Sequence, residues 1–92
     1  MNDINTDLYT FKFFIQRIEE FGSVINEKNA FVETTAFFNK TIVYEGIIRV
    51  HFNDYGIYPF PEDLSQADIP LSVKRKMAAE LKRYIKPQKR YL

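Results

Sequence analysis

The chain of 92 residues contains no cysteine and no tryptophan, a single histidine, three glycines and four prolines. Without cysteine, it has no disulfide, no thiolate metal ligand and no thiol nucleophile. The lack of cysteine fits a cytoplasmic protein, which is the location we expect. Hydrophobic residues make up 46% of the chain, so the composition excludes disordered, collagenous and low-complexity classes. One small domain spanning residues 1–92 is expected.

Long hydrophobic runs are also missing. The longest apolar stretches have three or four residues, whereas a membrane-spanning helix needs roughly 20. Residues 1–7 lack both the basic and the apolar region of a signal peptide. We therefore expect no contact with a membrane.

Residues that carry enzyme chemistry are scarce. His51 is the only histidine, and its most common role in such a setting is structural. No spacing typical of zinc ligands occurs, and glycines at positions 22, 46 and 56 cannot form a phosphate-binding loop. No serine lies in a nucleophile-elbow context. The sequence predicts a protein that is not an enzyme and that uses no metal or cofactor.

The chain is rich in aromatic residues, and its charges are unevenly distributed along the sequence. Nine phenylalanines and six tyrosines supply most of the area that so short a chain can bury, at ~150–250 Å² each. Residues 1–73 hold five basic and eleven acidic side chains, a net charge of −6. Residues 74–92 hold eight basic side chains and only Glu80, a net charge of +7. This asymmetry indicates either an anionic partner or attraction between the two parts.

The hydrophobic pattern predicts an α+β domain with the order α-β-β-β-α. Leu8, Phe11, Ile15 and Ile18 recur at intervals of three and four, which predicts a helix over residues 6–21. Three strands are expected at about 23–26, 30–38 and 41–52, forming an antiparallel meander. A loop over 53–69, a helix over 70–86 and a tail over 87–92 complete the predicted order.

A two-residue turn at Asn39-Lys40 is predicted to join the last two strands. In that register the numbers of paired residues sum to 79, so Phe31 faces Ile48 on the expected core face. The opposite face is too apolar to be left in water. We expect it to be covered by the C-terminal helix, by the aromatic loop or by another copy of the protein.

The predicted last helix is amphipathic and basic. Val73, Met77, Leu81 and Ile85 form its apolar stripe, and cations occupy the opposite side. Such a face can hold a nucleic-acid backbone or an acidic protein surface, but it is also compatible with a simple solvated helix face. The candidate residues for binding an anionic partner are Arg75, Lys76, Lys82, Arg83, Lys86, Lys89 and Arg90.

The loop contains a second candidate site. Tyr55, Tyr58 and Phe60 lie in a segment stiffened by Pro59 and Pro61. Rigid aromatic residues suit a protein interface because they lose little entropy on binding. The alternative is that these rings fold over the sheet and complete the core.

The sequence leaves several functions open. The first hypothesis is a non-catalytic interaction protein whose basic helix engages nucleic acid or an acidic protein. Its small size and its richness in Ile, Lys, Asn, Phe and Tyr suggest an accessory protein of a phage or mobile element. The second is an inhibitor whose acidic N-terminal part imitates nucleic acid and blocks a host enzyme. The third is a structural subunit of a homo-oligomer, for example a homodimer.

Overall fold

The computed structural model describes residues 6–92. It is an α+β fold in which a four-stranded antiparallel sheet, with strand order β1-β2-β3-β4, packs one face against a C-terminal helix. The strands are β1 (Tyr9–Gly22), β2 (Glu27–Phe38), β3 (Thr41–Phe52) and β4 (Ile57–Pro59). The helices are α1 (Pro61–Gln66) and α2 (Leu71–Ile85). Short 3-10 segments lie at Thr6–Leu8 and Lys86–Tyr91.

The predicted N-terminal helix is wrong. Apart from the 3-10 turn at Thr6–Leu8, the segment is the long edge strand β1. Phe11, Phe13 and Ile15 alternate towards the core, and then a bulge at Gln16 adds one residue and moves the next inward position to Ile18. A period of two with one inserted residue therefore produces the three-four spacing that resembles a helix. Aromatic and β-branched residues favour the strand.

The short strand predicted at 23–26 is also wrong, because these residues form the turn between β1 and β2. Asn26 has a φ of 55°, a left-handed conformation that asparagine tolerates. Its side-chain amide donates hydrogen bonds to both carboxylate oxygens of Asp54, at 2.9 and 3.2 Å. β2 consequently begins three residues earlier than predicted, at Glu27.

The predicted turn between β2 and β3 is present. Asn39 and Lys40 have φ values of 49° and 72°, as a type I′ hairpin turn requires. The predicted register, however, holds only for the two pairs nearest the turn. Val43 forms a bulge in β3, after which the numbers of paired residues sum to 80. Phe31 therefore pairs with Arg49 instead of Ile48 and leaves the core face.

The core lies between one face of the sheet and α2. On the helix side, Val73, Met77, Leu81 and Ile85 are fully buried, as the apolar stripe predicts. Phe11, Phe13, Ile15 and Ile18 of β1 pack partly buried at its margin. The buried residues contributed by β2 and β3 are Ala30, Val32, Thr34, Ala36, Ile48, Val50 and Phe52.

The region predicted as a loop over 53–69 contains both β4 and α1. An ion pair between strand and helix fixes α1 on β3. Both oxygens of the Asp63 carboxylate accept hydrogen bonds from the Arg49 guanidinium at 2.8 and 2.9 Å, and Oδ2 also accepts the backbone N–H of Arg49 at 2.8 Å. These donors hold the pKa of Asp63 below its ordinary value.

The last helix agrees with the prediction to within one residue at each end. Ala78, Leu81 and the long charged residues around them have high helix propensity. The chain then tightens into the 3-10 segment that contains Pro87, so the predicted tail is ordered. The amide of Gln88 donates to the Tyr84 carbonyl at 2.7 Å, and the Lys28 ammonium donates to the carbonyl of Leu92.

The second face of the sheet, called the open face below, carries the residues that alternate with the core positions. Phe31, Glu33, Thr35 and Phe37 come from β2. Neither helix packs over the centre of this face within residues 6–92. The open face therefore lies on the side of the sheet away from α2.

Candidate anion-binding surface

Packing of the apolar side of α2 against the sheet places the basic residues of this helix on its outer, solvent-facing side. Because four apolar residues at spacings of four fix the rotation of α2 on the sheet, the cations between them must point outward. Arg75, Lys82, Arg83 and Lys86 are all exposed. The amphipathic basic helix expected from the sequence is thus formed.

Four of these cations converge on a single groove with the start of β4. The groove has a volume of about 440 Å³ and is called the basic groove below. Tyr55 stands at its edge with 79% of its surface exposed. The basic groove is lined by Tyr55, Gly56, Ile57, Lys82, Arg83, Lys86 and Lys89.

The charge of the basic groove is hardly neutralised by the protein itself. Glu80 contacts Arg83 at 3.2 Å, one helical turn away, and the exposed guanidinium keeps most of its surface in solvent. Within residues 6–92, no carboxylate forms an ion pair with Lys82, Lys86 or Lys89. The basic groove therefore presents a concentrated positive potential to solvent.

Lys76, which the sequence places in the basic set, is used inside the fold. Its ammonium donates hydrogen bonds to the backbone carbonyls of Thr6 and Tyr9, at 2.6 and 2.9 Å. These contacts tie the middle of α2 to the start of β1. Lys76 is therefore a structural residue in this arrangement.

Two other predicted basic residues lie outside the groove. Arg75 is exposed near the first half of α2, where it lines a mostly apolar depression beside α1. Arg90 lies in the 3-10 segment with its guanidinium 5.2 Å from the ring of Tyr91, and it lines a different cavity near Asn26. The predicted set is thus reduced to a compact cluster of four with two outlying cations.

The three aromatic residues of the predicted loop do not form one site. Tyr55 joins the basic groove, whereas the ring of Tyr58 lies 6.1 Å from that of His51, on the open face. Phe60 lies under the guanidinium of Arg49 at 4.3 Å. The path of the chain separates them: Tyr55 precedes β4 and lies beside α2, Tyr58 lies within β4 opposite His51, and Phe60 follows β4 next to Arg49.

The position of Lys82 and Arg83 in the last turn of α2 also has a structural effect. The carbonyl end of a helix carries a partial negative charge, and cations there stabilise the helix by ~0.3–1 kcal/mol each. This effect explains a preference for positive charge at the end of α2. It does not require four cations and an exposed tyrosine around one groove.

His51 has structural partners on both ring nitrogens. Nδ1 lies 3.0 Å from the side-chain oxygen of Asn29, and Nε2 lies 3.5 Å from a carboxylate oxygen of Glu27. The ring of Phe21 lies 5.3 Å away. These contacts cross three strands at the end of the sheet and give the histidine a role in holding them together.

Between residues 6 and 92, no group of three or more histidine, aspartate or glutamate side chains lies close enough to hold a metal ion. No helix in that range is both long and apolar enough to cross a membrane.

The sequence found the cations of the basic groove but not the groove itself. The proximity of Tyr55 to Lys82 depends on β4, which is only three residues long and contains Pro59. The pair Arg49 and Asp63 gave no sequence signal, because the two residues are fourteen positions apart on different elements.

Comparison with known proteins adds nothing to this assignment: no family model matches the chain, and no curated protein or solved structure is significantly similar to it.

Proposed function

We propose that this protein is a non-catalytic binding module whose basic groove holds the phosphate backbone of a nucleic acid. The observation that supports it is the convergence of Lys82, Arg83, Lys86 and Lys89 on one groove with almost no internal counter-charge. Contacts between such cations and phosphates release counterions and give affinity without reading sequence.

The geometry of the groove fits a chain of phosphates better than a single anion. Lys82 and Lys86 are four residues apart, which separates them by ~6 Å along the helix axis. Lys89 continues the line into the 3-10 segment. Tyr55 adds an exposed ring on which an unpaired base can stack, a contact that single-strand-binding proteins combine with a basic groove.

The alternative of an acidic, nucleic-acid-like inhibitor has less support, because several of the acidic side chains that it would use are paired with cations of the protein itself. Glu19 pairs with Arg17, and Glu20 lies 3.8 Å from the ammonium of Lys28. Asp63 is held by Arg49. These three carboxylates therefore offer less unpaired negative charge than the net charge of residues 1–73 indicates. An accessory role in the cytoplasm, such as that of a small phage protein, belongs to the same proposal.

A salt titration tests the proposal. Affinity for a fluorescent single-stranded oligonucleotide would be measured by anisotropy at several salt concentrations, for the parent and for Lys82→Gln/Lys86→Gln. Losing two phosphate contacts should lower the slope of log K against log salt by ~1.4, at about 0.7 per contact. The matched control is Lys40→Gln/Arg75→Gln, which removes two exposed cations that lie outside the basic groove and away from the open face, and it should leave the slope unchanged.

The role of Tyr55 is tested with the same probe and with a duplex of equal length. Tyr55→Ala should lower the affinity for the single strand by ~1–3 kcal/mol, the usual effect of losing one stacked base. The duplex offers no unpaired base, so its affinity should change little. Binding that is equal for the parent and the Lys82→Gln/Lys86→Gln variant would overturn the nucleic-acid proposal, as would the absence of any binding at low salt.

A further inference from the structure

The open face exposes more hydrophobic surface than a sheet normally leaves in water. Each of six side chains there has 40% or more of its surface exposed: Phe14, Phe21, Ile42, Val43, Ile47 and Tyr58. The three rings alone, at about half exposure, present ~250–400 Å², and the aliphatic residues add to this. Monomeric proteins rarely expose continuous apolar patches beyond a few hundred Å², and larger ones mark interaction sites.

We propose that the open face binds the open face of a second copy of this chain, giving a two-fold symmetric dimer in which two sheets stack with β2 over β2. The two-fold axis lies between the sheets and runs along β2. In this arrangement β1 of each protomer lies over β3 of the other. The two copies of α2 are then on the outside, so the basic grooves remain accessible.

Charge complementarity in the row through Thr35 favours this axis. Lys12 on β1 pairs with Thr35 on β2, and Thr35 pairs with Glu45 on β3, so the three residues form one row across the sheet. A half-turn about an axis along β2 exchanges the β1 and β3 ends of this row and keeps the row at the same level along the strands. Lys12 then faces the partner's Glu45, and Glu45 faces the partner's Lys12. Within residues 6–92, neither side chain forms an ion pair inside the protomer.

The neighbouring row supports the same axis. Phe14, Glu33 and Ile47 occupy successive strands at one level, with Phe14 63% and Ile47 40% exposed. Reversal of this row places Phe14 over the partner's Ile47, so that apolar surface meets apolar surface. An axis perpendicular to the strands would instead place β1 over β1 and β3 over β3, so Lys12 could not face the partner's Glu45.

The dimensions suit a stable interface. β2 and β3 have twelve residues each, so the face is ~40 Å long and ~14 Å wide across three strands. That flat footprint is about 560 Å², roughly 70% of the ~800 Å² per partner of ordinary protein interfaces, and the side chains that project from the face add to the contact area. The face carries cations and carboxylates together, which opposes a polyanion. The proposed axis brings Arg17 towards the partner's Arg49, but each of these guanidinium groups already has a carboxylate partner in its own protomer, Glu19 and Asp63 respectively.

Glu33 gives a sharper consequence of the geometry. Because Glu33 is on β2, the axis brings it close to the partner's Glu33, where the two carboxylates repel each other. The side-chain amide of Gln16 donates to Glu33 at 3.3 Å, which offsets part of the repulsion. The variant Glu33→Gln should therefore strengthen the dimer, whereas loss of a carboxylate elsewhere on the face should not.

The test is the mass in solution without nucleic acid, measured by sedimentation equilibrium. The parent should approach twice 11.0 kDa with rising concentration. Lys12→Glu and Glu45→Lys should each weaken association by about tenfold or more, because each places like charges together twice. The double variant Lys12→Glu/Glu45→Lys restores opposite charges and should restore the dimer. Lys82→Glu, on the outer side of α2, is the control and should not change the mass.

The charge-reversal variants distinguish a lost interface contact from a loss of folding, because the double variant restores the opposite charges. Circular dichroism would confirm that each variant is folded, and Phe14→Ser provides a second way of weakening the face. A parent that stays at 11.0 kDa at all concentrations would overturn the proposal. So would a dimer that Lys12→Glu leaves intact, or folded single variants whose weakened association the double variant does not recover. None of these results affects the nucleic-acid proposal, which is measured on a different surface.

Discussion

The ring of Phe13 on β1 lies 5.4 Å from the ring of Tyr84 on α2, with the two planes tilted by 42°. This contact joins the first strand to the last helix across most of the length of the chain. Aromatic pairs at such distances contribute ~0.5–1.5 kcal/mol beyond the area that they bury. It also shows which side of β1 faces the core, since Phe14 next to it is mostly exposed.

Replacement of these two neighbours tests the strand assignment of residues 9–22. Phe13→Ala should lower the free energy of unfolding by ~2–3 kcal/mol, because it removes a packed ring and leaves a cavity. Phe14→Ala should change it by less than ~1 kcal/mol when measured on the monomer. Urea denaturation of both variants gives the comparison. Equal losses for the two variants would contradict alternation along β1.

The contact between Asp63 and Arg49 predicts a pH dependence of stability. The pKa of Asp63 is lowered chiefly by hydrogen bonds from the Arg49 side chain. Its contribution is therefore complete above the ordinary aspartate pKa and is lost as the pH falls through the lower pKa of the folded state. Asp63→Asn should reduce the free energy of unfolding by ~1–2 kcal/mol at neutral pH.

The measurement is urea unfolding of the parent and Asp63→Asn between neutral and strongly acidic pH. The difference between the two proteins should shrink as the pH falls, because the parent loses its carboxylate. Glu62→Gln is the matched control, since its exposed carboxylate lies next to Asp63 on α1 without holding Arg49. A difference that stays constant with pH would show that Asp63 does not stabilise the fold through its charge.

The sequence predicts α2 well and the strands less well, because β-bulges in β1 and β3 interrupt the alternation of side chains. The apolar stripe of α2 repeats without interruption, so its bounds and buried residues were predicted nearly correctly. In β1 and β3, single extra residues at Gln16 and Val43 shift the alternation halfway along the strand. A pattern read with a fixed period then gives a helix for β1 and the wrong face for Phe31. Nothing local in the sequence marks where a bulge falls.

The same reasoning explains which site residues were predictable. Cations on the outer side of α2 follow from the helical period alone, and most are found as expected. Lys76 is the exception, because its carbonyl partners at Thr6 and Tyr9 depend on the path of β1. The participation of Tyr55 depends on how β4 pairs with β3. These long-range placements arise from tertiary structure and have no local signal.

Lys76 allows the structural and binding roles of cations on one helix to be separated. Lys76→Gln should lower the free energy of unfolding by ~1–2 kcal/mol, since a charged donor to two backbone carbonyls is replaced. Its affinity for an oligonucleotide should match that of the parent. Lys82→Gln should weaken binding, while its effect on the free energy of unfolding should stay at or below the ~0.3–1 kcal/mol of its interaction with the helix end. If Lys76→Gln weakens binding as strongly as Lys82→Gln, the nucleic-acid contact extends along the whole helix.

The most direct measurement is an NMR titration of the isotope-labelled protein with a short single-stranded oligonucleotide at low salt. Resonances of Tyr55, Lys82, Lys86 and Lys89 should shift together and saturate, while those of Lys12 and Glu45 on the open face should not respond. Shifts concentrated on the open face, or no shifts anywhere, would contradict the assignment of the basic groove as the nucleic-acid contact.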